Sequence, residues 1–267
     1  MEEKEKWALV TGASAGVGRE IVLNLASKGY NLVLVARSSE KLDALKNEIR
    51  SNYNIFAESC VADLSCAESV DSVIKFCDDA QIVVDLLVNN AGVGLFGESV
   101  ELKDDVLAMI NLNVIALTRL CASFGALMKA RKSGSILNIG SIAGNQPTAY
   151  FASYAATKSY VLNYSLALRH ELAPYKVNVT CVQPGYIRTA FDDACKITSE
   201  KYKKFSYKNG MSAREVSDIA VKAVLKKRSY VRTGFSNKLV SFFSGFIPRN
   251  FLAWCLAVSV RAMTKTK

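Results

Sequence analysis

The chain has a single histidine, His170, and only 22% of its residues are charged against 50% hydrophobic. So little charge excludes a disordered class and points to a compact globule. His170 stands in a polar helical stretch and is expected to be structural or solvated. The seven cysteines (Cys60, Cys66, Cys77, Cys121, Cys181, Cys195 and Cys255) are odd in number, widely spaced and free of any C-x-x-C. That pattern speaks against a disulfide framework and for reduced thiols in a cytoplasmic protein. No secretory signal is visible, because Met1 to Lys6 is charged and the apolar strand after it is too short for an h-region. A clean membrane span is missing too. Leu239 to Val260 approaches the roughly 20 apolar residues a span needs, but Pro248, Arg249 and Asn250 interrupt it. Two short helices are expected there, closing an active site or padding a subunit interface in preference to resting on a bilayer surface.

Acidic residues are scarce in one place. Residues 196–267 hold 3 Asp+Glu against 16 Lys+Arg, whereas residues 1–195 hold 21 against 18, so the net charge of +10 belongs to the last quarter. It is read as a solvated basic face, or as attraction to an anionic membrane surface or to a carboxylate- or phosphate-bearing substrate. No nucleic-acid-binding motif accompanies it, and no nucleic-acid partner is expected.

What is present is an alternation of strand-like and helix-like stretches, the pattern of an α/β fold with a doubly wound parallel sheet. The length suits one domain over residues 1–267. Trp7 to Val10 reads as a buried strand running into Thr11-Gly-Ala-Ser-Ala-Gly-Val-Gly18, then an amphipathic helix from Arg19 to Lys28 closed by Gly29. In that context backbone N–H groups and a helix N-terminus can cradle a pyrophosphate. Gly12 permits the turn, Gly16 lets the backbone approach the phosphates and Gly18 allows close helix packing. The next strand, Asn31 to Ala36, ends without the carboxylate that would pair with a ribose 2′-OH. Arg37 stands there instead, suited to the 2′-phosphate of NADP or serving as a surface charge, with Ser14 and Ser38 placed to add hydrogen bonds. A polar helix follows over Ser39 to Arg50.

A third strand, Ile55 to Ala62, ends at Asp63, which either accepts from an adenine amino group or caps the helix near Ser65. Helix is expected over Ser69 to Cys77. A fourth strand, Val83 to Val88, leads into Asn89-Asn-Ala-Gly92, small enough for a flat ring to approach and equally readable as a turn. Asp104 to Lys132 is one long helical pattern with Asn113 midway. Asn is a poor helix former, so a task near the site or on a subunit contact is expected of it or its surroundings. Strands at Ser135 to Ile139, Lys176 to Val182 and Ser229 to Arg232 complete the sheet. Between the first two lie Ser141 and the pair Tyr154 and Lys158, four positions apart on a helix. An ammonium beside a phenol is expected to lower the phenol's pKa from about 10 toward working pH.

Taken together, the glycine turn Thr11 to Gly18, Asp63, Asn89-Asn-Ala-Gly92, Asn113, Ser141, Tyr154-x-x-x-Lys158 and Pro184-Gly185 resemble the short-chain dehydrogenase/reductase family, over residues 7 to about 190. The Gly-x-x-x-Gly-x-Gly spacing is similar to its compact oxidoreductase branch, and Arg37 to its NADP-preferring members. The resemblance implies a Rossmann fold of about seven strands with helices on both faces and a helical C-terminal extension. It implies a catalytic tetrad of Asn113, Ser141, Tyr154 and Lys158, in which Tyr154 exchanges the proton, Ser141 orients the carbonyl, Lys158 tunes the tyrosine and Asn113 supports a water relay. Cofactor contacts are implied for Gly12, Ser14, Gly16, Val17, Gly18, Arg37, Asp63, Asn90, Tyr154, Lys158, Pro184, Gly185 and Thr189, with NADP as cofactor and no metal. Residues 190–212 correspond to the substrate loop and 236–267 to a basic, apolar C-terminal extension. Phe191, Tyr202, Phe205, Tyr207 and Met211 in the loop suit a hydrophobic carbonyl or alcohol substrate with an acidic end, or the packing of a small helix. The expected activity is interconversion of a ketone and a secondary alcohol on a steroid, bile-acid or acyl-chain substrate, by a homodimer or homotetramer. A non-catalytic NADP sensor and a membrane-associated lipid reductase are the alternatives.

Overall fold

A computed structural model describes residues 5–66, 68–234, 237 and 244–264. Seven parallel strands form the sheet: β1 (Trp7–Thr11), β2 (Asn31–Ala36), β3 (Ala57–Val61), β4 (Val84–Asn89), β5 (Gly134–Ile139), β6 (Val177–Gln183) and, at the edge, a strand at Tyr230–Arg232. Their spatial order is β3, β2, β1, β4, β5, β6 and the Tyr230–Arg232 strand. This is the doubly wound sheet that the alternation predicts. The order reverses between β1 and β4, and the crevice at such a switch point, outside the carboxyl ends of the strands, is where open α/β sheets bind ligands.

Both faces are covered, which is why strands such as Asn31-Leu-Val-Leu-Val-Ala36 are buried throughout and not alternating. On one face α1 (Gly16–Ala26) and α2 (Ser39–Asn52) pack Ile21, Val22, Leu25, Leu42 and Ile49 against β1 and β2. On the other, α3 (Glu68–Asp79), α5 (Leu117–Ala130) and α6 (Ala152–Leu172) surround a cluster including Val73, Leu120, Phe124, Ile136 and Val161, while α4 (Lys103–Ile110) lies against α6. The helix starts follow local chemistry. The Ser38 hydroxyl accepts from the Lys41 amide at the head of α2.

The helix expected over Asp104 to Lys132 is not uniform. A wide π-type turn, Asn111–Ala116, joins α4 to α5, and Asn113 lies within it. An extra residue in one turn rotates the side chains that follow, and such turns are frequent at functional sites. The tyrosine helix spans Ala152–Leu172 and carries Tyr154 and Lys158 in its first two turns, as their four-residue spacing predicts.

The substrate-loop segment folds into α7 (Phe191–Ala194) and α8 (Glu200–Asn209), tied at its base where β7 (Ile187–Arg188) pairs in parallel with β8 (Met211–Ser212). From Ser212 a capping box with Glu215 opens α9 (Ala213–Leu225), which covers the α1 side of the sheet and leads to the edge strand β9 (Tyr230–Arg232). Of the two helices expected within Leu239 to Val260, the first lies before Pro248, where residues 239–243 are outside the described residues and Ser244–Phe246 form a short 3₁₀ turn. The second is α10 (Arg249–Thr264), starting directly after Pro248 and running past Val260.

Candidate active site

Thr11, last residue of β1, ties the switch point together. Its hydroxyl donates to the Val88 carbonyl (3.3 Å) and accepts from the amides of Asn90 and Ala91 (3.0 Å each). The Asn90 side chain donates to the carbonyls of Thr11 (2.9 Å) and Gly12 (3.3 Å). The glycine turn is thus pinned to the end of β4 from both sides, with Gly12 at φ 64° and Gly16 at φ 55°. A Cβ on Gly18 would stand 2.1 Å from the Gly12 carbonyl oxygen, so only glycine allows α1 to start this close.

The head of α1 has no side-chain cap, since its first position is filled by Ala15 in an extended conformation. Its leading N–H groups therefore face the crevice, as an anion site requires. Val17 buries its side chain in the core and offers only backbone there. Ser14 is half-buried on the turn, and the Thr189 methyl lies 3.6 Å from where a Gly16 Cβ would be. Opposite, the Pro184 carbonyl accepts from the Ile142 amide (2.9 Å), and Gly185 abuts Asn237.

At the outer end of β2 and β3, Arg37 lies 3.9 Å from Asp63, both well exposed. Asp63 accepts from the Ser65 hydroxyl (2.7 Å) and amide (3.0 Å), and chiefly that hydroxyl, with Arg37 as a lesser cause, lowers its pKa. An exposed pair at this separation contributes little to stability, so Arg37 is available to another anion.

Two members of the expected tetrad, Asn113 and Lys158, meet at Gly92. A Cβ there would come within 3.1 Å of Asn113 Oδ1 and 3.3 Å of Lys158 Nζ. Asn113 Nδ2 donates to the Val93 carbonyl (2.8 Å) and the Thr157 hydroxyl (3.1 Å), and Oδ1 accepts from the Val93 amide (3.0 Å). Lys158 is 6% exposed and donates to the Ile139 carbonyl at 3.0 Å. Ser141 follows β5 and accepts from the Ala143 amide (3.1 Å), while Gln183 holds its carbonyl (3.1 Å). Its side chain is hydrogen-bonded to Tyr154.

The Tyr–Lys spacing predicts an acidified phenol, yet the Tyr154 pKa is raised: burial dominates, the Ser141 hydrogen bond opposes it and Cys195 adds to it. Lys158 does not offset this because its Nζ is 5.9 Å from the ring centroid and is itself desolvated. Burial lowers the lysine's pKa to about 8. The arrangement holds a protonated phenol beside a hydroxyl hydrogen-bond partner, with an ammonium close behind. Such a group can donate a proton to a developing alkoxide.

Around Tyr154 stands an aromatic wall. Phe191 (5.6 Å between ring centroids) and Phe151 (6.0 Å) flank it, and Phe96, Tyr186, Tyr202, Cys195 and Met263 complete the cluster. Phe191 and Tyr202 are residues the loop composition singles out. Phe96, Phe151 and Met263 are not, since they come from three distant segments. The only local signal was Phe151 itself, three places before Tyr154.

Residues 6–199 match the family model of the short chain dehydrogenase. The chain belongs to the short-chain dehydrogenase family. Among curated relatives of this family, a very-long-chain 3-oxoacyl-CoA reductase of Phaeosphaeria nodorum is 37% identical over 193 residues, covering 69% of this chain and 55% of that protein. The chain thus spans about half the length of that relative. The hydroxysteroid dehydrogenase-like protein 1 of Gallus gallus is 30% identical over 268 residues, 97% of this chain and 77% of that one. Among solved structures of short-chain dehydrogenases, one from Sphingobium yanoikuyae in complex with NADPH superposes with a TM-score of 0.79 at 30% identity, covering 90% of this chain and 94% of the other.

Proposed function

We propose that this chain is an NADP(H)-dependent reductase that converts the ketone of a bulky hydrophobic, acyl-chain-type substrate to a secondary alcohol. The observation that carries the reading is a half-buried, protonated Tyr154 hydrogen-bonded to Ser141, with Lys158 and Asn113 near it and an aromatic wall around it. The cofactor assignment is supported by fit: a glycine turn that a Cβ would fill, an uncapped helix head and an Arg37 whose ion pair is weak. Gly12, Ser14, Gly16, Val17 and Gly18 would hold the pyrophosphate, with Thr189 and the Pro184-Gly185 segment across from them. Arg37 would take the 2′-phosphate, Asp63 the adenine side, and Asn90 would hold the turn in shape. When bound, the cofactor supplies the hydride.

The chain's own residues do the rest. Ser141 donates to the substrate oxygen, and Tyr154 gives that oxygen its proton as negative charge develops. Lys158, protonated below about pH 8, stabilises the tyrosinate left behind. Asn113 keeps the π turn and the Val93 loop in register with Thr157, and so fixes the neighbour of Tyr154. The acyl-chain class is supported by the wall of Phe96, Phe151, Phe191 and Tyr202, and by the reductase name of the Phaeosphaeria relative. The test follows NADPH absorbance with a panel of ketones and 3-oxoacyl thioesters. Tyr154→Phe is expected to lose about 10²–10⁴-fold in turnover while still binding NADPH. Equal rates in the variant would remove Tyr154 from the chemistry.

A further inference from the structure

Helix α10 is apolar on two sides, and among the described residues the fold uses only one. Its inner side buries Val260 and brings Met263 into the aromatic cluster around Tyr154. It is fastened at that end by Ser199, whose hydroxyl donates to the Met263 carbonyl (2.6 Å), and by Lys201 on the Ala262 carbonyl (3.2 Å). On the opposite side Phe251, Trp254 and Val258, three and then four positions apart, are 57%, 61% and 45% exposed. The first two rings stack at 5.9 Å. Just before the helix, Phe246 is 74% exposed and Ile247 37%. A helix hydrophobic all round is ordinarily buried all round, so this outer face needs a partner.

Charge selects the partner. The helix carries Arg249 and Arg261 and no acidic residue, and its neighbour α8 carries Lys201, Lys203, Lys204 and Lys208 against Glu200 alone. Arg249 has no acidic partner among the described residues. A second copy would bring the same cations against themselves. A bilayer with anionic headgroups meets both demands, with an apolar boundary for the rings and negative charge for the basic flank, at the depth where tryptophan concentrates. We propose that α10 docks this chain on an anionic lipid bilayer, with Phe251, Trp254 and Val258 in the headgroup–acyl boundary. The docking stands independently of the catalytic reading. Where both hold, Met263 links the docked helix to the wall around Tyr154, which lets a lipid-dissolved substrate enter without crossing water.

The experiment is flotation of the full chain with vesicles of phosphatidylcholine alone or mixed with phosphatidylglycerol, at low salt, together with tryptophan emission. The wild type is expected to float with the mixed vesicles, to shift its emission to the blue as Trp254 leaves water, and to float much less with phosphatidylcholine alone. The triple variant Phe251→Ser, Trp254→Ser, Val258→Ser is expected to bind at least about tenfold more weakly with an unchanged circular dichroism spectrum and melt. If the triple variant is unstable, Val258→Asp alone, on the exposed face, serves as the second variant. The proposal is overturned if the wild type stays unbound, if neutral vesicles bind it equally, or if the variants bind like wild type. It is also overturned if they change the oligomer mass in solution and leave vesicle binding intact, which would make the face a contact between copies.

Discussion

At the scale of single residues, the site trades stability for chemistry. Lys158 is buried with a lowered pKa of about 8, so the folded chain releases its proton near there while the unfolded chain holds it to about 10.5. Between those values the unfolded state binds more protons, and stability should rise with pH by about 3 kcal/mol from this group. Lys158→Met should abolish that rise, read as the difference between wild-type and variant urea-unfolding free energies at neutral and alkaline pH. A constant difference would show that the ammonium is not desolvated as the structure has it. The same residue makes turnover fall as pH increases through about 8. Arg37 offers a second residue-scale test. Arg37→Asp should weaken NADPH by roughly 10–100-fold, the range of one charge-assisted hydrogen bond, and NADH far less. Equal weakening would take the 2′-phosphate away from Arg37.

At the scale of elements, the decisive one is the turn between β1 and α1. Two glycines in it look alike in sequence and differ in their surroundings. A Cβ on Gly16 would meet only Thr189 at 3.6 Å, whereas one on Gly18 would sit 2.1 Å from the Gly12 carbonyl and 2.4 Å from Asn90 Nδ2. Gly16→Ala should therefore cost about 1–2 kcal/mol for the left-handed backbone alone. Gly18→Ala must part α1 from β4, should cost more, up to or beyond about 3 kcal/mol, and should lose NADPH affinity as well. The reverse order in denaturant unfolding would contradict the packing. The π turn shows the limit of reading elements from pattern. Apolar spacing over Asp104 to Lys132 supported one continuous helix, and only the Val93 backbone, brought beside it by β4, gives Asn113 a reason to distort it.

At the scale of the whole molecule, apolar side chains remain outside the core on several helices among the described residues, two of the groups bearing on assembly. One is the α10 face. The other lies along α4 and α5, where Leu107, Ile115 and Leu127 are 60%, 43% and 48% exposed. Tyr160 of α6 stands beside them through a 2.9 Å hydrogen bond with Thr118. The stretch Lys103–Arg131 is long and apolar enough to cross a membrane by length and composition, but Leu117, Leu120, Phe124 and Met128 are committed to the sheet. We propose a homodimer or larger assembly through the remaining face. Ile115→Glu combined with Leu127→Glu should yield a monomer by light scattering, and an unchanged mass would place the contact elsewhere.

Local order was legible because it is written in neighbouring residues. Strand runs bounded by glycine turns, the helix after Ser38, and the four-residue interval from Tyr154 to Lys158 each rest on interactions within one segment. The sheet followed from them, and the candidate tetrad from the family resemblance that the ordered motifs carry. Other features needed distant segments to meet: the wall that joins Phe96, Phe151 and Met263, the π turn at Asn113, and the exposed side of α10. The Tyr154 ionisation belongs to this second group. Spacing alone pointed toward an acidic phenol, and burial among aromatic rings from four parts of the chain reversed the direction, because desolvation depends on everything that surrounds a group and a sequence interval records only one neighbour.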